Sequence, residues 1–169
     1  MGTQLYDLLD IIDEITNENG APCKKTLQKI VYLVEEKNIE LGFDYVIHYY
    51  GPYSSDLDFT VQKMVWDGLL NVTRTNNGHI ISRNEKCGEE EQDYVKNRDM
   101  LNIVKNFAKD SPSTLELLAT TLFVERNTIE KTKDKIMSGV IKIKGDKYNK
   151  TEIDDAILRL SQENYFCLS

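Results

Sequence analysis

Tyr45, Tyr49, Tyr50, Tyr53 and Trp66 fall within one predicted strand and the helix after it, the densest run of recognition-capable side chains in the chain. Tyr and Trp are over-represented at the energetic centres of protein interfaces because each removes a large area from water at little rotamer cost. The same residues also suit the core of a small domain, so a division between core and exposed patch is expected. Groups suited to catalysis or metal binding are sparse. His48 and His79 are the two histidines, and neither has a cysteine or carboxylate at metal-ligand spacing. Cys23, Cys87 and Cys167 are odd in number and far apart, which suits thiols in a reducing compartment better than a disulfide framework. No Gly-rich phosphate loop and no Gly-x-Ser-x-Gly elbow is present. The expectation is a protein that is not an enzyme and carries neither cofactor nor metal.

Charge narrows the partners. Residues 1–125 hold 12 basic and 21 acidic side chains, residues 126–150 hold 8 and 3, and residues 151–169 hold 1 and 4, for a net charge of −7. Non-specific nucleic-acid binding rests on phosphate neutralisation by Lys and Arg, so an acidic body disfavours it, leaving 126–150 as the locally basic stretch. No apolar run reaches the ~20 residues of a membrane span, and the first residues lack the layout of a signal peptide, so a cytoplasmic protein without membrane contact is expected.

The elements that must position these residues follow from periodicity. Leu5, Leu8, Leu9, Ile12 and Ile15 form one helical stripe over roughly 3–17, ending before Gly20. A second stripe with Leu27, Ile30, Val31 and Val34 runs to about Leu41-Gly42. Phe43 to Tyr50 reads as a strand covered on both faces and stopped by Gly51-Pro52. Ser54 or Ser55 caps a third helix bearing Leu57, Val61 and Met64, with Asp58 in capping-box position for Ser55, and Gly68 closes it. Two short strands flank Asn76-Asn77-Gly78, a hairpin signal. After an acidic bridge (Glu85, Glu89, Glu90, Glu91, Asp93) come a fourth helix with Tyr94, Leu101, Val104 and Ala108, and a fifth capped by Ser111 before Pro112. A sixth starts at Thr128 with Ile129 and Ile136 inward, an alternating basic segment spans Val140 to Tyr148, and Thr151 with Asp154 caps a last helix.

Helix, helix, strand, helix, hairpin is the plan of a winged helix, whose third helix reads DNA and whose hairpin is the wing. From Ser54 to Leu69, however, Lys63 stands against Asp56, Asp58 and Asp67. A helix of net charge −2 is a poor reader of a phosphate-lined groove. Arg74 and Arg83 on the wing keep a backbone or minor-groove role open.

Leu27-Gln28-Lys29-Ile30-Val31-Tyr32-Leu33, followed by Tyr50-Gly51-Pro52-Tyr53-Ser54 and Leu57, resembles the paired hallmark of the Panacea family, the SocA-like antitoxin domain, which takes in the YwgA-like proteins. The resemblance covers roughly residues 5–85 and, weakly, Thr114 to Phe123 and Glu152 to Leu160. It implies a non-enzymatic binding domain that neutralises a toxin-like partner by direct contact or, in some members, hands it to a protease. In physical terms the first motif turns Leu27, Ile30, Val31 and Val34 inward and leaves Gln28, Lys29 and Tyr32 nearer the surface, while Gly51-Pro52 is a rigid turn that frees Ser54 or Ser55 to cap. The basic segment Lys142 to Lys150 has no counterpart in the resemblance and suggests a second contact surface.

The sequence thus leads to an α+β, mostly α protein: a winged-helix-like half over 1–88 and a helical half over 89–169 packed on it as a single compact unit. Lys29, Tyr49, Tyr50, Tyr53 and Trp66 are the expected partner-binding residues, and Leu27, Gln28, Lys29, Tyr50, Gly51, Pro52 and Ser54 the motif. The rival reading is a DNA-binding regulator using Arg74, Arg83, Lys142 and Lys144. Oligomeric state is left open by the sequence.

Overall fold

A computed structural model describes residues 2–86 and 93–168. The expected boundary at 88/89, Cys87 and the carboxylates Glu89, Glu90 and Glu91 lie outside the described residues. The fold is α+β and mostly α: among the described residues, seven α-helices accompany two small antiparallel hairpins. No helix among them is long and apolar enough to cross a membrane.

The chain forms two compact units, residues 1–45 with 54–110, and residues 46–53 with 111–169. The first unit holds α1 (Thr3–Asn19), α2 (Lys24–Glu35), α3 (Ser55–Trp66), the hairpin β3 (Leu70–Thr75) and β4 (Gly78–Arg83), and α4 (Arg98–Phe107). Helix α1 packs on α4 and β4, and α3 on β3, with Leu8, Ile12, Ile30, Leu57, Met64 and Phe107 among the fully buried side chains. Helix α2 is shorter than expected. The Glu35 carboxylate accepts hydrogen bonds from the Leu41 and Phe43 amides, 3.0 Å each, so the chain leaves the helix there instead of continuing to Gly42. Tyr94 likewise precedes α4, which Asn97 caps. Its hydroxyl lies 2.9 Å from both the Asp7 and Asp10 carboxylates of α1, and its ring stacks on Tyr6.

The second unit holds the hairpin β1 (Val46–His48) and β2 (Gly51–Tyr53), α5 (Pro112–Asn127), α6 (Lys133–Lys144), a single 3-10 turn (Gly145–Lys147) and α7 (Lys150–Gln162). Strand β2 packs on α5, which also contacts α6 and α7. Four expectations are corrected here. Phe43 to Tyr50 is not one covered strand: only Val46–His48 is strand, and all three residues are exposed. The sixth helix begins after its cap Thr132, so Ile129 is not inward but 98% exposed. The alternating segment from Val140 is the end of that helix, in which Ile136 and Val140, four apart, are buried. The last helix is capped by Asn149, reciprocally with Glu152, and not by Thr151.

Gly139 of α6 faces Val124 of α5. A Cβ built there would lie 2.5 Å from Val124 Cγ1, and a valine has no flexible end with which to retreat. Gly139→Val is expected to cost roughly 2 kcal/mol by overpacking, measured by urea denaturation. Adding Val124→Ala should return part of that loss, whereas simple additivity would show that the two residues do not press on one another.

Candidate interaction site

Both hairpins turn by the same device. His48 pairs with Gly51 and Thr75 with Gly78, leaving Tyr49-Tyr50 and Asn76-Asn77 as the loops. In each, the two loop residues keep negative φ and the glycine that follows takes positive φ, +91° at Gly51 and +112° at Gly78. This is the bulge arrangement that ends a type I turn, and it favours glycine because an L side chain clashes there. Gly51 therefore does not stop a strand but starts the return strand, which lifts Tyr49 and Tyr50 to the tip.

That tip is clamped from beneath. Glu116 on α5 is buried, and its Oε1 accepts from Lys144 Nζ and Lys147 Nζ, both at 2.7 Å, while Oε2 accepts from Lys147 at 2.9 Å. The Lys144 side chain is only 2% exposed, and its ammonium also donates to the Tyr49 carbonyl at 2.7 Å. The Lys147 ammonium sits 5.7 Å from the Tyr50 ring centroid and 5.5 Å from that of Tyr148, within cation–π range. Tyr148 in turn donates to the Ser113 carbonyl at 3.0 Å. Burial works against ionisation of Glu116, but the hydrogen bonds from Lys144 and Lys147 outweigh it and hold the carboxyl below its ordinary value. The hydrogen bond to Glu116 correspondingly raises Lys147.

Above the clamp, Tyr49 is 80% and Tyr50 45% exposed, their rings 4.9 Å apart and edge-on. Val46 and Ile47 extend the exposed apolar surface along β1. Tyr53 is half-buried against His48, with ring centroids 4.9 Å apart. The hairpin thus brings together Tyr49, Tyr50 and Tyr53, three of the four tyrosines singled out in the sequence, while Tyr45 belongs to the first unit.

Lys29 and Trp66 belong to the first unit. Trp66 stands 71% exposed on α3. Two turns earlier on the same helix, Phe59 is 63% exposed, a residue that sequence reasoning passed over although its spacing of seven from Trp66 was readable. Gln28, Lys29 and Tyr32 are not near the surface, as expected, but buried. The burial of Gln28 has a clear cause. Its Nε2 donates to the Ser54 carbonyl at 2.8 Å and its Oε1 accepts from the Ser54 amide at 2.9 Å. Ser54, itself fully buried, caps α3 by accepting from the Leu57 amide. The two halves of the motif therefore meet: Gln28 of the first pairs with the backbone of Ser54 in the second. Asp58 plays no part in that cap and pairs with Lys24 at 2.9 Å. Leu27 and Pro52 are buried apolar residues.

Of the cations in the rival reading, Arg74 and Lys142 are exposed. Arg83 pairs with Asp13 at 2.7 Å, and Lys144 lies inside the clamp. Among the described residues no group of three or more His, Cys, Asp or Glu could hold a metal ion. A cavity of about 270 Å³ between α5 and α7, lined by Leu117, Leu118, Tyr148, Asp155 and Arg159, falls just under the ~300–1,000 Å³ of ligand pockets.

No protein-family model matches the chain. It is 25% identical over 149 residues to the uncharacterised protein YwgA of Bacillus subtilis (strain 168), an alignment that spans 85% of this chain and 88% of that protein.

Proposed function

We propose that the protein is a non-enzymatic binding module that engages another protein by direct contact, neutralising or presenting a toxin-like partner in the manner of the SocA-like antitoxins it resembles. The observation that carries this reading is the clamped tyrosine tip. Two aromatic rings stand in solvent on a hairpin whose carbonyl and ring are held from below, so little ordering remains to oppose binding. Aromatic side chains in such settings are the usual energetic centres of protein interfaces. Cys23 and Cys167 are free thiols, in keeping with a reducing, cytoplasmic setting.

The rival, a winged-helix regulator, draws support from the order α1, α2, α3, β3, β4 in the first unit. Its reader helix would then offer DNA two exposed aromatics and three carboxylates against one lysine, which favours a protein surface over a phosphate backbone.

The test is retention of a partner by the tagged full-length chain from lysate of the source organism, with and without nuclease. One identified protein, retained in near-stoichiometric amount in both halves, is expected. Tyr49→Ser combined with Tyr50→Ser should weaken its affinity at least about 30-fold while leaving the thermal melt in place. Unchanged affinity would remove the tip as the site, and a nuclease-sensitive DNA companion with no protein would favour the regulator.

A further inference from the structure

Resting on the protein-binding reading, we infer that the α3 face carrying Phe59 and Trp66 docks against a basic protein, one that offers an apolar cleft bordered by lysine or arginine. Asp56, Phe59, Lys63 and Trp66 recur at helical spacing and all are exposed, forming one solvent-facing stripe. Phe59 and Trp66, about 10.5 Å apart along the axis, are the two large apolar side chains of that stripe. Anchors two turns apart on one helix are how a helix is read by a groove.

The charge around the anchors sets the partner's chemistry. Lys63 is neutralised by Asp67 at 2.7 Å and Lys24 by Asp58 at 2.9 Å, which leaves the Asp56 carboxylate as the uncompensated charge of α3. The first unit as a whole carries 12 basic and 19 acidic side chains, whereas the second carries 9 of each, so the entire net charge of −7 belongs to the unit that bears this face. A basic partner is steered toward such a surface and a polyanion is turned away. A second copy of the chain brings the same negative charge to the contact, and like charge opposes that pairing.

The experiment places a photoreactive side chain on the stripe, Phe59→p-benzoylphenylalanine, in the full chain in source cells. Mass spectrometry then identifies the crosslinked molecule and the crosslinked peptide. A single protein is expected, crosslinked through an apolar segment flanked by Lys or Arg. With the purified pair, Phe59→Ser plus Trp66→Ser should weaken affinity at least about 30-fold. Asp56→Lys removes no packing and should weaken it about fivefold at low salt and little at high salt. Self-crosslinking, crosslinking to nucleic acid, or a partner whose affinity is indifferent to both variants overturns the inference. If that indifferent partner is still lost with the Tyr49 and Tyr50 variant, the α3 face alone is wrong. If the unmodified chain retains no protein at all, the protein-binding reading falls and this inference falls with it.

Discussion

Gln28→Leu is expected to lower the unfolding free energy by about 4 kcal/mol, the largest loss foreseen for any single polar side chain of the first unit. The leucine fills similar volume and carries no polar atoms, so the change isolates the two hydrogen bonds to Ser54. Those bonds serve a backbone amide and a carbonyl of a fully buried residue. Each group left bare costs about 1–3 kcal/mol, and the Ser54 cap of α3 loosens with them. Gln28→Glu provides the control. Above its pKa a glutamate still accepts from the Ser54 amide but repels the Ser54 carbonyl, so this variant should be of intermediate stability and recover in part as pH falls and the carboxyl regains a proton. Ser54→Ala, which removes only the cap hydroxyl, should cost about 1 kcal/mol. Urea denaturation across pH 4–8 separates the three variants. A Gln28→Leu loss below about 1 kcal/mol would show that the paired motif is held for some purpose other than this latch.

The latch also shows where sequence reading stops. The apolar stripes of α1, α3 and α5 were legible because 3.6-residue periodicity and the caps Ser54 and Ser111 are local signals. The β3–β4 hairpin was legible for the same reason, since its glycine lies next to its turn. Gln28 carried no such signal: a glutamine on a helix reads as surface until its partner, 26 positions onward, is seen. Tyr49 and Tyr50 were legible as candidates by type, but not as a tip, because Gly51-Pro52 reads equally as a stop and as the bulge of a hairpin. The clamp beneath them was not legible at all. Lys144 sits in a basic run that reads as a second contact surface or as phosphate-binding, and nothing local connects it with Glu116, 28 residues earlier, or with the Tyr49 carbonyl, 95 earlier. Long-range pairing of charged groups leaves no periodic trace, so this part of the site had to come from the structure.

Lys144→Met is the change that tests whether the clamp prepares the tip for binding. Methionine keeps the length and apolar stem of lysine, so packing on α6 is preserved while the ammonium is lost. Breaking a buried ion pair typically costs 3–5 kcal/mol, and because Lys147 continues to face Glu116 the loss here should sit at the low end, about 3 kcal/mol. The Tyr49 carbonyl also loses its donor, so the amides of Val46–Tyr53 should exchange with solvent faster than those of α5. Partner affinity should fall about tenfold although neither aromatic side chain is altered, because the tip must then be ordered at the moment of binding. Lys142→Met, two residues away and exposed, is the control and should change neither quantity. Acid gives an independent readout of the same device. Since Glu116 is held below its ordinary value of 4.5, its contribution is present in full above that pH and is lost as pH falls through the lower, folded value. Asp7 and Glu35 in the first unit have the opposite slope, because burial raises both and their contributions are lost as pH rises. The clamp is therefore read as the difference between the wild type and Glu116→Gln. The wild type should lose its advantage over the variant on acidification below about pH 4.5, and the hairpin amides should lose protection over the same range. A constant difference across that range would mean that Glu116 is not the anchor of the tip.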